Sequence, residues 1–269
     1  MNTDKKLKYI NLACGSNYVR SNDWINLDFT ERDGVQKVNL LNQLKFKEST
    51  FDAVYCSHFV EHIPIEELSN FLRECRRVLK DGGIFRVVVP DFEKMTREYI
   101  KQRDSGNSKK ANFMMVSIID QFVRNKPGGT LGSIFKSLEK TNDKEFKAYV
   151  VDRIGDIFSE DLKYNSSFNR KSSSKIFSFF LRKYINIFIK FLPKSFLKQN
   201  VSLADIGEMH KWIYDKYNLT DELKSVGFKR VEEVEYNFSN IINFPILLDT
   251  SDNGRPRKGL DSLFLEAIK

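Results

Sequence analysis

Three segments in the first forty residues place polar groups at the ends of short apolar runs. The first run ends in Asn11–Ser16 and contains Gly15, the second ends in Asp28, and the third ends in Asn39–Leu40. In α/β proteins, ligands bind beyond the carboxyl ends of parallel strands. A glycine lets the backbone approach a ligand closely, and a carboxylate accepts hydrogen bonds from a ribose diol. Because an amide beside an apolar residue suits adenine, the three ends together predict an adenosine-like pocket, although each alone is more typical of a turn or cap.

The sequence of the first of these turns does not match the common phosphate-binding loop motifs. A dinucleotide fingerprint needs G-x-G-x-x-G, whereas this sequence has Ala13, Gly15 and Tyr18 at the three positions. The turn also lacks the lysine of a nucleotide-triphosphate loop. An adenosine without phosphates therefore fits the segment better.

The hydrophobic pattern of the first ninety residues alternates between strand and helix. A helix is expected over 65–79, because its apolar residues recur at helical spacing, and a further helix is expected over 209–226. Strands are expected at 8–13, 24–29, 36–40, 51–57, 84–90, 228–238 and 260–268. Strands separated by helices indicate parallel βαβ units in a three-layer α/β fold.

Residues 94–204 interrupt this alternation with helical patterns only. They are interpreted as a helical insertion in a core formed by 1–93 and 205–269. Between Asp161 and Asp205 the chain has lysines and arginines but no acidic residue. Within this stretch, 175–198 has a basic face and a broad Phe/Ile face, which is typical of a helix lying on an anionic membrane surface. A helix that packs on its own domain and a nucleic-acid surface remain alternatives, and nucleic acid is the least favoured.

Composition limits the broad class of protein. The chain has 269 residues, 41% hydrophobic, with a formal net charge of +8. It therefore contains enough apolar residues for a core and is not typical of a disordered or disulfide-rich chain. Cys14, Cys56 and Cys75 show no paired or zinc-ligand spacing. No signal peptide or apolar run of membrane-spanning length is recognised, so a cytoplasmic location is expected, with the inner face of the cell membrane as an option.

Several longer stretches carry a family resemblance. They read INLACGSN, WINLD, FDAVYCSHFVEHI, LRECRRVLKDGGIFRVVVPD, MHKWIYDKYNL and LDTSDNGRPRKGLDSLFLEAIK. The chain resembles the class I S-adenosylmethionine-dependent methyltransferases, and within them a subgroup associated with bacterial surface-polysaccharide biosynthesis. This resemblance implies a Rossmann-like, seven-stranded sheet with a helical insertion before the last two strands.

The resemblance also implies S-adenosyl-L-methionine as cofactor and a set of residues that contact it. These are Ala13, Cys14 and Gly15 beside the methionine part, Asp28 on the ribose, Asn39 and Leu40 at the adenine, and Ser57 facing the sulfonium. Two positions depart from the family pattern. Ala13 stands where a glycine is usual, and Asn11 stands where an acidic residue is common.

Only three histidines are present: His58, His62 and His210. His58 follows the fourth strand at the rim of the predicted pocket, and the resemblance places His210 near the catalytic cleft. Either is a candidate base for an acceptor proton, with a structural role as the alternative. Glu61 and His62 are interpreted as capping or orienting residues. No cluster of Asp, Glu and His stands out along the sequence, so a metal-independent reaction is expected.

The resulting expectation is methyl transfer to an oxygen of a cell-envelope glycan or of its nucleotide- or lipid-linked precursor. Two alternatives remain open. One is a methyltransferase acting on nucleic acid or protein, for which a basic cleft with stacking aromatics would be needed. The other is a non-catalytic binding module that has kept the fold.

Overall fold

The computed structural model describes residues 7–125, 127–156 and 209–269, which build one seven-stranded sheet flanked by helices. The strand order is β3-β2-β1-β4-β5-β7-β6. The strands are β1 Tyr9–Leu12, β2 Trp24–Asp28, β3 Gln36–Lys37, β4 Phe51–Ser57, β5 Leu79–Pro90, β6 Arg230–Glu233 and β7 Ser262–Ile268. Strands β1 to β5 pair in parallel, and β7 runs antiparallel to both β5 and β6. The expected seven-stranded α/β fold is confirmed.

Six α-helices surround this sheet in the described residues. They are α1 Ile65–Val78, α2 Phe92–Asp104, α3 Ser108–Val123, α4 Gly129–Glu139, α5 Lys144–Ile154 and α6 Lys216–Ser225. In α1, Leu68, Leu72 and Cys75 are buried at helical spacing against the apolar β strands, as the periodicity predicts. The main core therefore lies between the sheet and the helix pair α1 and α6.

Four elements differ clearly from the sequence expectation. Strand β5 begins at Leu79 instead of at residue 84, and β6 covers only Arg230–Glu233 of the expected 228–238. The third strand is only two residues long, because β3 pairs with the end of β2 and then turns toward Leu40. The helix expected over 209–226 begins only at Lys216, where the Asp215 carboxylate caps it in a reciprocal pair with Asn218. The backbone before it hydrogen-bonds to other elements instead of to itself.

The helices α2 to α5 have an apolar core of their own. Phe113, Met114, Phe135 and Val150 are among its buried members. Gly155 and Gly259 let the end of α5 cross the C-terminal loop, since a Cβ on Gly259 would lie 2.0 Å from a backbone oxygen. The described helices therefore agree with a helical segment between β5 and β6, while the division into 1–93, 94–204 and 205–269 stays a prediction.

The basic amphipathic segment 175–198 lies outside the described residues. Within the described residues, no helix has both the length and the apolar character needed to cross a bilayer.

Candidate active site

The ends of β1 and β2 lie side by side, as an adenosine pocket requires. Leu12 pairs with Leu27, and the Cys14 amide donates to the Leu27 carbonyl at 3.1 Å. The half-buried Asp28 carboxylate accepts from the Gly15 amide at 2.9 Å through Oδ2. Its Oδ1 accepts from the Thr30 amide, also at 2.9 Å. Each carboxylate oxygen keeps acceptor capacity for a ribose hydroxyl.

The loop after β1 adopts the backbone of a glycine turn despite its alanine. Ala13 has a φ of 53° and Gly15 a φ of 57°, both left-handed. Such a backbone costs a non-glycine residue about 1–2 kcal/mol. The hydrogen bonds to Leu27 and Asp28 hold the loop in place. The departure from the family pattern at Ala13 therefore leaves the shape of the loop intact.

Cys14 is buried inside this loop, with 7% of its surface exposed. Burial raises the pKa of its thiol to about 11, with a further contribution from the charge of Asp28. The thiol is therefore protonated at neutral pH, and its sulfur is a packing atom rather than a nucleophile.

The predicted adenine residues have two different environments. Asn39 is exposed and its Oδ1 accepts from the Leu41 amide at 3.1 Å, whereas the Leu40 side chain is buried in the main core. Two exposed apolar side chains follow the ends of β2 and β3 in the chain, namely Phe29, at 62%, and Leu41, at 44%. Neither belongs to the site predicted from the sequence, although each directly follows a residue of that predicted site. Their exposed apolar surfaces suit the faces of a purine ring better than Leu40 does.

The other neighbour of β1 is β4, whose end carries Ser57 and His58. Leu12 pairs with Cys56, so these two residues follow β4 beside the loop after β1. His58 has a left-handed φ of 50°, which is uncommon outside glycine, and its amide donates to the Val88 carbonyl. This backbone fixes the start of the His58 side chain at the edge of the sheet.

His58 lies between a buried carboxylate and a serine. Its Nδ1 is 3.3 Å from Glu61 Oε1, and its Nε2 is 3.4 Å from Ser262 Oγ. The Ser262 hydroxyl donates to the Lys258 carbonyl at 3.1 Å. A proton on Nδ1, facing Glu61, leaves the Nε2 lone pair free in the neutral ring. His58 therefore has the arrangement of a proton acceptor oriented by a carboxylate.

Glu61 is fully buried in a short 3₁₀ helix, Val60–His62. Burial by itself would raise the pKa of its carboxyl. The contact with His58 and the nearby His62 and His210 lower the pKa by more than burial raises it, so the pKa falls to about 2. The group is thus ionised in the folded protein. Of the capping and orienting roles expected for Glu61, its contact with His58 favours the orienting one.

The segment before α6 brings His210 to the same place. The His210 amide donates to the Gln121 carbonyl, and the amides of Lys211 and Trp212 donate to the Glu61 carbonyl. The His210 ring packs edge-on against His62, with 4.7 Å between centroids. Burial lowers the pKa of His210 to about 3, so its ring is neutral and a weak base. Of the two candidate histidines, His58 has the better geometry for accepting a proton.

A cavity of about 270 Å³ connects these groups. His58, Glu61, His62 and His210 line one side. The remaining lining residues are Pro90, Met95, Ser117, Gln121, Arg124, Leu131, Phe135, Arg153, Ile154, Lys258, Asp261 and Ser262. Residues of α2 to α5 therefore form much of its wall. A second cavity of about 290 Å³ lies between the end of α5 and the C-terminal loop, and the predicted residues do not line it.

Comparison with known proteins gives a family match within the first third of the chain. Residues 23–87 match the model of a methyltransferase domain family. The structure is similar to an S-adenosylmethionine-dependent methyltransferase from Archaeoglobus fulgidus, with 14% identity, 98% of this chain and 86% of the other covered, and a TM-score of 0.40. It is also similar to one from Mesorhizobium loti, with 13% identity, 98% and 91% coverage, and a TM-score of 0.40. No curated protein matches the sequence.

Proposed function

We propose that the chain is a class I S-adenosylmethionine-dependent methyltransferase, because residues 23–87 match a methyltransferase domain family. Its acceptor is an oxygen of a glycan or of the nucleotide- or lipid-linked precursor of a glycan. The observation that carries this proposal is the pairing of His58 with Glu61 in the wall of a cavity at the end of β4. A hydroxyl is a poor nucleophile until it loses its proton, so an oriented base suits an oxygen acceptor.

We assign the cofactor to the ends of β1, β2 and β3. Ala13, Cys14 and Gly15 would flank its methionine part, Asp28 would accept from the ribose hydroxyls, and Asn39 would lie beside the adenine. The exposed Phe29 and Leu41 would cover the purine faces. This assignment is supported by the hydrogen bonds that join Gly15 to Asp28 and by the uncovered apolar surface next to them.

S-adenosylmethionine supplies an electrophilic methyl group on a positively charged sulfur. The chain's own residues then have three tasks. Ser57 and His58, at the end of β4, limit where an acceptor oxygen can lie relative to the cofactor. His58 Nε2 accepts the hydroxyl proton while Glu61 stabilises the imidazolium that forms. The cavity walls hold the acceptor in place, which supplies the entropic part of catalysis.

The size and lining of the cavity support a compact, hydroxylated acceptor unit. At about 270 Å³ it lies just below the usual range of about 300–1,000 Å³ for ligand pockets. Lys258 adds positive charge to its wall. The two arginines of the wall are already paired, Arg124 with Asp120 and Arg153 with Glu98 and Asp261. A single sugar ring next to a phosphate or carboxylate matches this combination.

Because α3, α4 and α5 form part of the wall, we also propose that residues 94–204 act as a lid over the acceptor.

The acceptor is testable by a screen with labelled methyl donor. We expect label to transfer to a nucleotide- or lipid-linked sugar and to remain on oxygen, as judged by mass spectrometry of the product. Transfer to nucleic acid or protein instead would overturn the glycan proposal. Flotation with anionic and neutral liposomes, in parallel, tests the prediction that 175–198 contacts a membrane surface.

The cofactor assignment predicts the effect of removing the Asp28 carboxylate. Asp28→Ala is expected to weaken binding of S-adenosylmethionine by about 1.5–3 kcal/mol, the range for a lost hydrogen bond to a charged group. This corresponds to about 10- to 150-fold in Kd, measurable by titration calorimetry. Asp33→Ala, on the exposed loop after β2, is the matched control and should bind normally. Equal affinity of the Asp28 variant and the wild type would contradict the assignment.

A further inference from the structure

A buried group of potential metal ligands lies in the acceptor cavity. Glu61, His62 and His210 each offer one ligand atom, and these atoms lie within 4.8 Å of one another. The sequence gives no hint of this group, because His210 is separated from the other two by about half of the chain. The fold brings them together where the segment before α6 hydrogen-bonds to the Glu61 carbonyl.

The Glu61 carboxylate is directed into this group without sufficient partners. Its side chain is 1% exposed, and neither oxygen has a well-aligned hydrogen bond from the described residues. The one close polar atom is His58 Nδ1, 3.3 Å from Oε1. A buried carboxylate with so few partners is costly, because it has lost its hydration. A cation bound at Oε2 would remove that cost and leave Oε1 to His58.

His62 is oriented as metal-binding histidines usually are. Its Nδ1 lies 3.1 Å from the Met209 carbonyl oxygen, which only accepts, so Nδ1 carries the proton. The free lone pair of the neutral ring is therefore on Nε2. Ligating histidines almost always donate their other N–H to a carbonyl or carboxylate, which fixes the ring. The His210 ring is held by packing instead, since it lies edge-on against both His62 and Phe122.

We propose that Glu61, His62 and His210 bind one divalent transition-metal ion, with zinc as the best match. Two imidazoles and one carboxylate, with a further position left open, form a common catalytic zinc set. Ligands at about 2.1 Å in a tetrahedral site are about 3.4 Å apart, so the side chains would move inward on binding. The cavity beside them provides space for the open position.

The role of the ion rests on the proposed function. An acceptor hydroxyl bound at the open position would ionise more easily, as metal-bound water does. The hydroxyl proton passes to His58 Nε2, the new C–O bond forms as the C–S bond of the donor breaks, and S-adenosylhomocysteine leaves. His58 then accepts the proton, and the ion acts as the Lewis acid that makes the same hydroxyl easier to deprotonate.

Metal binding is measured directly on the full chain. After removal of metal with a chelator, the protein is titrated with Zn²⁺ and its bound zinc is counted by elemental analysis. We expect about one zinc per chain. Glu61→Gln, His62→Asn and His210→Asn should each weaken zinc binding by about 100-fold or more, because changes beside the ligands alone cost about 10- to 100-fold. Glu67→Gln, an exposed glutamate of α1 with the same charge change, is the matched control and should bind normally.

A second readout separates this site from the cysteines. Co²⁺ bound to nitrogen and oxygen ligands lacks the thiolate charge-transfer absorption that a cysteine site would show. Wild-type protein that binds no zinc, variants that bind as tightly as wild type, or a thiolate spectrum would each overturn the inference. Zinc binding without methyl transfer to any glycan would leave the site standing and contradict the acceptor proposal. Methyl transfer to a glycan by protein that binds no zinc would overturn the zinc site and leave the acceptor proposal standing.

Discussion

His58→Asn is expected to slow methyl transfer by about 10²–10⁴-fold, the usual contribution of a general base. Asparagine is chosen because residue 58 has a left-handed backbone, which asparagine tolerates better than most residues. The variant keeps the hydrogen bond from its amide to Val88, so the end of β4 should stay in place. The measurement is turnover with labelled donor at saturating acceptor.

Two comparisons make this result specific. Affinity for S-adenosylmethionine should be largely unchanged, because the predicted cofactor contacts at Gly15 and Asp28 are untouched. Glu61→Gln should also lower turnover, since a neutral amide stabilises a charged His58 less well than a carboxylate does. Full activity of His58→Asn would mean that positioning alone performs the reaction. The proposal would also fail if the variant lost donor binding and turnover together.

The largest expected loss of stability follows from Arg86→Met. Arg86 lies in the middle of β5 with 0% of its side chain exposed. It contacts the Asp249 carboxylate at 2.7 Å and the Glu266 carboxylate at 2.8 Å. Removing one partner of a buried ion pair costs about 3–5 kcal/mol, because the other charges stay buried without compensation. The free energy of unfolding in urea, monitored by circular dichroism, should fall by about that amount.

A charge-balanced variant keeps this prediction testable if Arg86→Met does not fold. Adding Asp249→Asn and Glu266→Gln removes both unpaired charges, so the triple variant should recover a substantial part of the stability. Arg20→Met is the matched control, since Arg20 pairs with Asp33 on the surface and should leave the unfolding midpoint unchanged. A midpoint unaffected by Arg86→Met would show that this buried network adds nothing to stability.

The sequence predicted the α/β sheet well because each strand and helix has its own local pattern. In α1 the apolar residues recur at helical spacing, and β5 is a β-branched run. The proposed cofactor residues Gly15 and Asp28 could be selected for the same reason, since each directly ends or follows a strand. The sequence-based predictions fail where contacts between distant segments determine the backbone conformation. The stretch before α6 is apolar enough for a helix, but it instead hydrogen-bonds to Glu61 and to α3.

The sequence by itself therefore determined the alternation of strands and helices, the seven-stranded α/β fold and the strand ends at which we propose that the cofactor binds. These features depend on local periodicity and on the rule that parallel strands end at one edge of a sheet. Only the tertiary structure decided that His58 lies against Glu61, that His62 and His210 pack together, and that Leu40 is buried while Phe29 and Leu41 are exposed. Those contacts join residues far apart in the chain, and no local pattern encodes them.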